Sequence, residues 1–174
     1  MNWTKVPIYR GFIPELYRMT QEAGMQWCGG YPRWMASPRS EPAPASDLDL
    51  FPVEKGLEDA FYKQLLELGW ELHRETANAY TMKRRKDLPY LTWPKLQVVR
   101  AFQSGRTLTY GPLEDILANF DFTVVRIGVS DAENCLADEL FAEDEANQPA
   151  WKRCAHTSQP SCAAGLRPGL DQGR

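Results

Sequence analysis

The sequence predicts an α+β domain, a mixed β-sheet with helices packed against it, followed by a disordered C-terminal tail. Three observations lead there. Apolar residues at helical spacing in residues 12–23 and 53–68 alternate with short strand-like runs at 25–28, 47–51 and 120–129, the pattern of helices covering a sheet. Clusters of Pro and Gly separate these runs and punctuate them as elements. The composition then changes near Asn147, where Pro, Gly, Ser and Ala replace apolar periodicity and four basic residues face one acid. That change divides the chain into a domain over residues 1–146 and a tail over 147–174 that cannot bury a core.

The elements follow in order. Phe12, Leu16 and Met19 form one face of a helix that Gly24 closes. Residues 25–28 (Met-Gln-Trp-Cys) read as a short buried strand, Gly29-Gly30 comes directly after it, and residues 31–35 begin a short helix. Residues 37–46 (SPRSEPAPAS) hold three prolines and read as a surface loop. Residues 47–51 (DLDLF) alternate polar and apolar side chains with a period of two, as a strand with two unlike faces does. Leu57, Phe61, Leu65 and Leu68 make the stripe of a helix over 53–68 that stops at Gly69. Residues 70–74 and 79–83 read as the arms of a hairpin turning near Ala77-Asn78. After a polar connection with Pro89 and Pro94 come a strand over 96–102, a helix over 112–119 with proline at its first position, a strand over 120–129 and an acidic helix over 135–145.

Composition narrows the function classes. The 174 residues are 43% hydrophobic, 25% charged and 11% aromatic, which excludes collagen-like and wholly disordered chains. A net charge of −3 argues against a broad non-specific nucleic-acid surface. No apolar run reaches the roughly 18–20 residues of a membrane span, and residues 1–18 lack a signal peptide's apolar centre, so no membrane partner and a cytoplasmic location are expected. Cys28, Cys135, Cys154 and Cys162 form no CxxC pair, and two histidines are too few for an ordinary zinc cage.

One constellation carries chemistry. Asp47 and Asp49 leave the same face of a strand while Leu48 and Leu50 face the core. Carboxylates that close repel unless a positive charge lies between them, and a divalent cation with oxygen ligands is the common solution. Asp121, at the head of residues 120–129, is the candidate third acid on a neighbouring strand. Glycines between a strand and a helix let backbone N–H groups approach phosphate oxygens, which gives Gly29 and Gly30 a part in the same site.

These residues resemble the DNA polymerase beta superfamily of nucleotidyltransferases. Its pattern of an apolar strand, Gly-Gly or Gly-Ser, a gap and Asp-x-Asp between apolar residues appears here as MQWCGG (25–30) and SDLDLF (46–51). The resemblance implies a nucleotidyltransferase-like fold with a two-metal site in which Asp47, Asp49 and Asp121 bind Mg2+, or Mn2+ as the alternative ion. Gly29 and Gly30 would hold a nucleoside triphosphate, with Arg33 in the window where many members carry an arginine. Position 34 is Trp, where the common GGxxRD-like run has an acid, and the 16 residues between Gly30 and Asp47 make a rather long gap. Residues 27–140 also look like small nucleotidyltransferase-like proteins of phages and prophages, through DLDLF, Thr76 to Ala79, the Gln97-Val98-Val99 strand and the Pro112 to Leu117 helix leading into FDFT. The implied activity is transfer of a nucleoside monophosphate from a triphosphate to a hydroxyl of an RNA end, a protein or a small molecule. The alternative is a catalytically silent, phage-borne binding protein of the same fold, since folds of this kind outlive their chemistry.

Plainer readings stand beside these. An isolated Asp-x-Asp is common on surface turns, and it is the Gly-Gly before it and FDFT after it that distinguish this one. His73 suits a hairpin surface better than a ligand, and Cys28 reads as a small apolar core residue. Trp34 suits packing, with stacking on a base as its alternative. Lys95 and Arg100 are weak candidates for phosphate contacts. Residues 83–86 (KRRK) and the acidic run 138–145 are most simply solvated faces.

Overall fold

The computed structural model of the chain describes residues 1–38, 45–84, 93–101, 107–121 and 125–141. The tail after Asn147, residues 39–44 of the proline-rich loop, the connection around Pro89 and residues 142–145 of the expected acidic helix lie outside them. In chain order the elements are β1 (Trp3–Pro7), α1 (Pro14–Glu22), β2 (Met25–Cys28), α2 (Gly30–Ala36), β3 (Asp47–Pro52), α3 (Leu57–Glu67), β4 (Trp70–Glu75), β5 (Ala79–Arg84), β6 (Lys95–Val99), α4 (Leu113–Ala118), β7 (Ile127–Val129) and β8 (Asn134–Asp138). The strands form one mixed sheet in the order β1-β8-β7-β2-β3-β6-β5-β4. The architecture is α+β, with four helices on an eight-stranded sheet among the described residues.

Local chemistry sets the boundaries near the centre. Pro14 opens α1 with its ring in place of a dispensable N–H, and Gly24, at φ +71°, turns the chain into β2. Trp27 of β2 is fully buried and donates its indole N–H to Thr20 Oγ1 at 2.7 Å, tying strand to helix. α3 begins later than position 53 because Gly56, at φ +94°, breaks the chain direction first, and Glu58 accepts the Gly56 N–H at 2.9 Å. The β4–β5 hairpin turns where expected, with Thr76 Oγ1 accepting the N–H groups of Asn78 and Ala79 at 3.2 and 3.0 Å.

The sheet has two unlike faces. Leu16, Met35, Phe61 and Leu65 from α1, α2 and α3 bury Trp27, Leu48, Leu50, Leu96 and Val98 on one of them. On the other, Leu113, Ile116 and Leu117 of α4 cover Cys28, Phe51 and Val99. Because α4 is short, this second cluster is the smaller one.

Two expectations need correction. Residues 120–129 are not one strand: Asn119 and Phe120 donate to Ile116 and Leu117 carbonyls as the exit of α4, and among the described residues of this stretch the strand begins at Ile127. Residues 135–138 are a strand, not the start of a helix. The Asp131 carboxylate accepts the N–H groups of Glu133 and Asn134 at 3.0 and 2.8 Å, and this turn folds β8 back on β7. Those hydrogen bonds also hold the Asp131 pKa down at about 2. β1, which the sequence reading left without an element, pairs with the other edge of β8. No helix among the described residues is long and apolar enough to cross a membrane.

Gly128 is where the sheet tolerates least. A Cβ there would lie 2.6 Å from Leu113 Cδ1 and 2.7 Å from the Trp27 carbonyl oxygen, and the second is backbone that cannot step aside. At Gly30 a Cβ would meet nothing within 4 Å. Gly128→Ala is expected to lower stability by about 1–3 kcal/mol through overpacking, and Gly30→Ala, at the open first position of α2, to leave it unchanged or raise it by less than about 1 kcal/mol. Urea denaturation of the two variants checks the ranking, and equal losses would contradict this account of β7 packing.

Candidate functional site

β3 lies near the middle of the sheet, between antiparallel β2 and parallel β6. Its alternation sends Leu48 and Leu50, both fully buried, into the three-helix core, and Asp47, Asp49 and Phe51 to the opposite face. Asp47 and Asp49 therefore stand side by side, half-buried, above an apolar layer that cannot shift.

Register brings the glycine turn to them. Cys28 pairs with Asp49, so the chain leaving β2 at Gly29 runs beside the start of β3. Gly29 adopts φ +81°, ψ −135°, a conformation reserved in practice for glycine. A Cβ there would sit 3.2 Å from Asp49 Oδ2 and 3.8 Å from the Phe120 ring, so the residue that turns the chain also leaves room for the carboxylate. The Gly29 N–H donates to the Ile127 carbonyl at 2.8 Å, while the space above Gly30 is open.

Electrostatics mark the pair. Burial, and then the neighbouring Asp47 charge, push the Asp49 pKa up to about 7. Asp47 Oδ1 is buried and has no hydrogen-bond partner among the described residues, an arrangement that is costly unless something else satisfies the oxygen. Cys28, directly across from Asp49, has its thiol pushed well up by burial and then by the Asp49 charge, which leaves it an inert core residue.

The remaining candidates fall in different places. Asp121 is exposed just beyond α4, and among the described residues no three His, Cys, Asp or Glu side chains come together as a metal-binding group. Arg33 is half-buried on α2, its N–H donating to the Gly29 carbonyl at 3.1 Å. Lys95 is in register with Asp47. Arg100 pairs with Glu75 at 3.2 Å and lies 4.3 Å above the Tyr80 ring. Trp34 packs over Gly11 and against Tyr31, with ring centroids 5.3 Å apart, as a core residue. His73 is exposed at a register shift of the β4 edge strand. Two neighbours of the pair had no role in the sequence reading. Phe120 packs on Phe51, centroids 5.1 Å apart, and walls the site; Gln97 of β6 is in register with Asp49.

Comparison of the chain with protein-family models, with curated proteins and with solved structures finds no match. The site therefore rests on its own geometry.

Asp49 gives that geometry a sign. Its folded-state pKa of about 7 lies above the ordinary value of 3.8, so between those limits the folded chain keeps a proton that the unfolded chain releases. Stability contributed by this group is thus complete below about pH 4 and lost as pH rises to 7, by roughly 3–4 kcal/mol. In metal-free buffer, Asp49→Asn is expected to show a smaller fall in urea midpoint between pH 4 and pH 8 than the wild type. Titrations away from the pair and Cys28 are common to both proteins, so identical slopes would sink this assignment.

Proposed function

We propose that the protein is a magnesium-dependent nucleotidyltransferase-like protein that binds a nucleoside triphosphate at Gly29-Gly30 and Asp47-Asp49. The observation that carries this reading is the pairing of two carboxylates on one face of β3, one with an orphaned buried oxygen, beside a glycine turn with open space above it. Donors of this kind fit a hard divalent cation, which keeps waters and takes further oxygens from a substrate's phosphates. When bound, the cation would supply charge neutralisation for the carboxylates and the phosphates alike.

The chain's own residues have definable parts. Leu48 and Leu50, locked in the core, fix the separation and direction of Asp47 and Asp49. Gly29 holds the turn away from Asp49 Oδ2, and Gly30 leaves its backbone open to a phosphate. Phe120 closes one side against water. In the full reaction the oxygen of a hydroxyl acceptor, such as an RNA end, would bond to the α-phosphorus, the α–β phosphoanhydride bond would break with pyrophosphate as leaving group, and the hydroxyl proton would pass to solvent. A second reading, binding without transfer, is favoured by one observation: the described residues do not gather a third acid with the pair.

Calorimetric titration of the full chain with each of the four nucleoside triphosphates, with and without Mg2+, tests the proposal. Magnesium-dependent binding is expected. Asp47→Ala/Asp49→Ala should weaken it at least about tenfold, or 1.4 kcal/mol, while circular dichroism and the urea transition stay folded. Pyrophosphate release with a hydroxyl acceptor separates transfer from silent binding. Nucleotide affinity that ignores both magnesium and the double substitution would refute the assignment.

A further inference from the structure

The row of side chains level with Asp49 can be read across the sheet. Gly128 on β7 and Cys28 on β2 lie to one side, and Gln97 on β6 and Thr81 on β5 to the other, each in register with its neighbour. Partners in register project from the same face. One strand from the carboxylate pair, on the face where a further acid would complete a site for two cations, the chain therefore carries an amide. The row level with Asp47 continues into a cation, Lys95.

Charge decides what such a row holds. Two divalent cations in one site stand about 3.5–4 Å apart and bring four positive charges together. Asp47 and Asp49 offer two negative charges, Gln97 and Thr81 offer none, and Lys95 adds a positive one. A single cation is matched by the two carboxylates themselves and, with Lys95 counted, leaves the rows at +1, against +3 for two cations. It would satisfy the buried Asp47 Oδ1 that has no partner, and an amide carbonyl oxygen is a competent neutral ligand for a hard ion.

We infer that Gln97 holds the third-ligand place beside Asp47 and Asp49, and that the site takes one divalent cation per chain and not two. The inference rests on the nucleotide-and-metal reading above. It names Gln97 as the residue that sets cation number, a role that neither the Asp-x-Asp motif nor the glycine turn discloses. The neutral side chain limits the site to holding a nucleotide with its own cation, and an acid there would open a second cation position.

Manganese titration of the full-length protein, followed by loss of the free hexaaquo-ion signal in electron paramagnetic resonance, reads the number directly. The ions that count are those lost in Asp47→Ala/Asp49→Ala. One such ion is expected in the wild type and two in Gln97→Asp or in Gln97→Glu, which keeps the size of the original side chain. Two ions in the wild type would overturn the inference while leaving the metal site standing, and this holds even if neither Gln97 variant folds. One ion in folded Gln97 variants would overturn it too, by showing that position 97 does not face the cation. No ion dependent on the two aspartates in the wild type would remove the metal reading and the inference together.

Discussion

Two like charges held a strand pitch apart near the middle of a sheet constrain much of what surrounds them. Asp47 and Asp49 cannot relieve their repulsion by turning away, because the intervening Leu48 and the following Leu50 are fully buried under three helices. Reversing the alternation would place both leucines in the polar row and both carboxylates in the core, so the register is strongly specified. The repulsion must be absorbed by the neighbours. On the β2 side that neighbour is a glycine, because any side chain at position 29 would press on Asp49 Oδ2. On the β6 side it is an uncharged amide next to a lysine.

The contact between β3 and β6 is parallel, while every other pairing in the sheet is antiparallel. Parallel neighbours need a crossover, and here it contains α3 and the β4–β5 hairpin. The route matters for the site. α3 returns across the apolar face, with Phe61 and Leu65 over the core. The opposite face over Asp49 and Gln97 thus keeps its polar row. α4 arrives from the other end of the chain and covers Cys28, Phe51 and Val99, so the polar row has an aromatic border in Phe120 and Phe51.

What the sequence discloses and what it hides separate along this line. Residues 25–28 and 47–51, the glycine turn between strand and helix, and the β4–β5 hairpin are written in local chemistry: alternation, glycine punctuation and turn residues. Their bounds in the structure match the reading to within a residue or two. The misread segments depend on distant partners. Residues 135–138 carry apolar spacing short enough to suit a helix or a strand, and only pairing with β1 and β7 decides between them. FDFT alternates like a strand, yet Phe120 is drawn from that pattern to pack on Phe51, far away in sequence. The Asp pair was visible because its two members share one strand. Gln97 was visible as part of a buried strand, but its place next to Asp49 is fixed by a register between residues 48 positions apart, which no local pattern encodes.

A proton and the proposed cation would compete at this site, and that bears on why the fold can carry it. With its pKa near 7, Asp49 can take up a proton when no cation is present, and the neutral form removes most of the repulsion that Asp47 exerts. The protonated form thus lessens the repulsion without a metal, unlike small domains whose core is the metal cluster itself. The core under α1, α2 and α3 stands apart from the pair, because its side chains make no use of the polar row. At the proposed site, a cation arriving with a nucleotide would take the place of the Asp49 proton. A carboxylate pair in which both members stayed ionised would bind a cation more tightly but would strain the empty protein at every pH. On the proposed reading, the buried position of Asp49 would trade some cation affinity for less repulsion in the empty site.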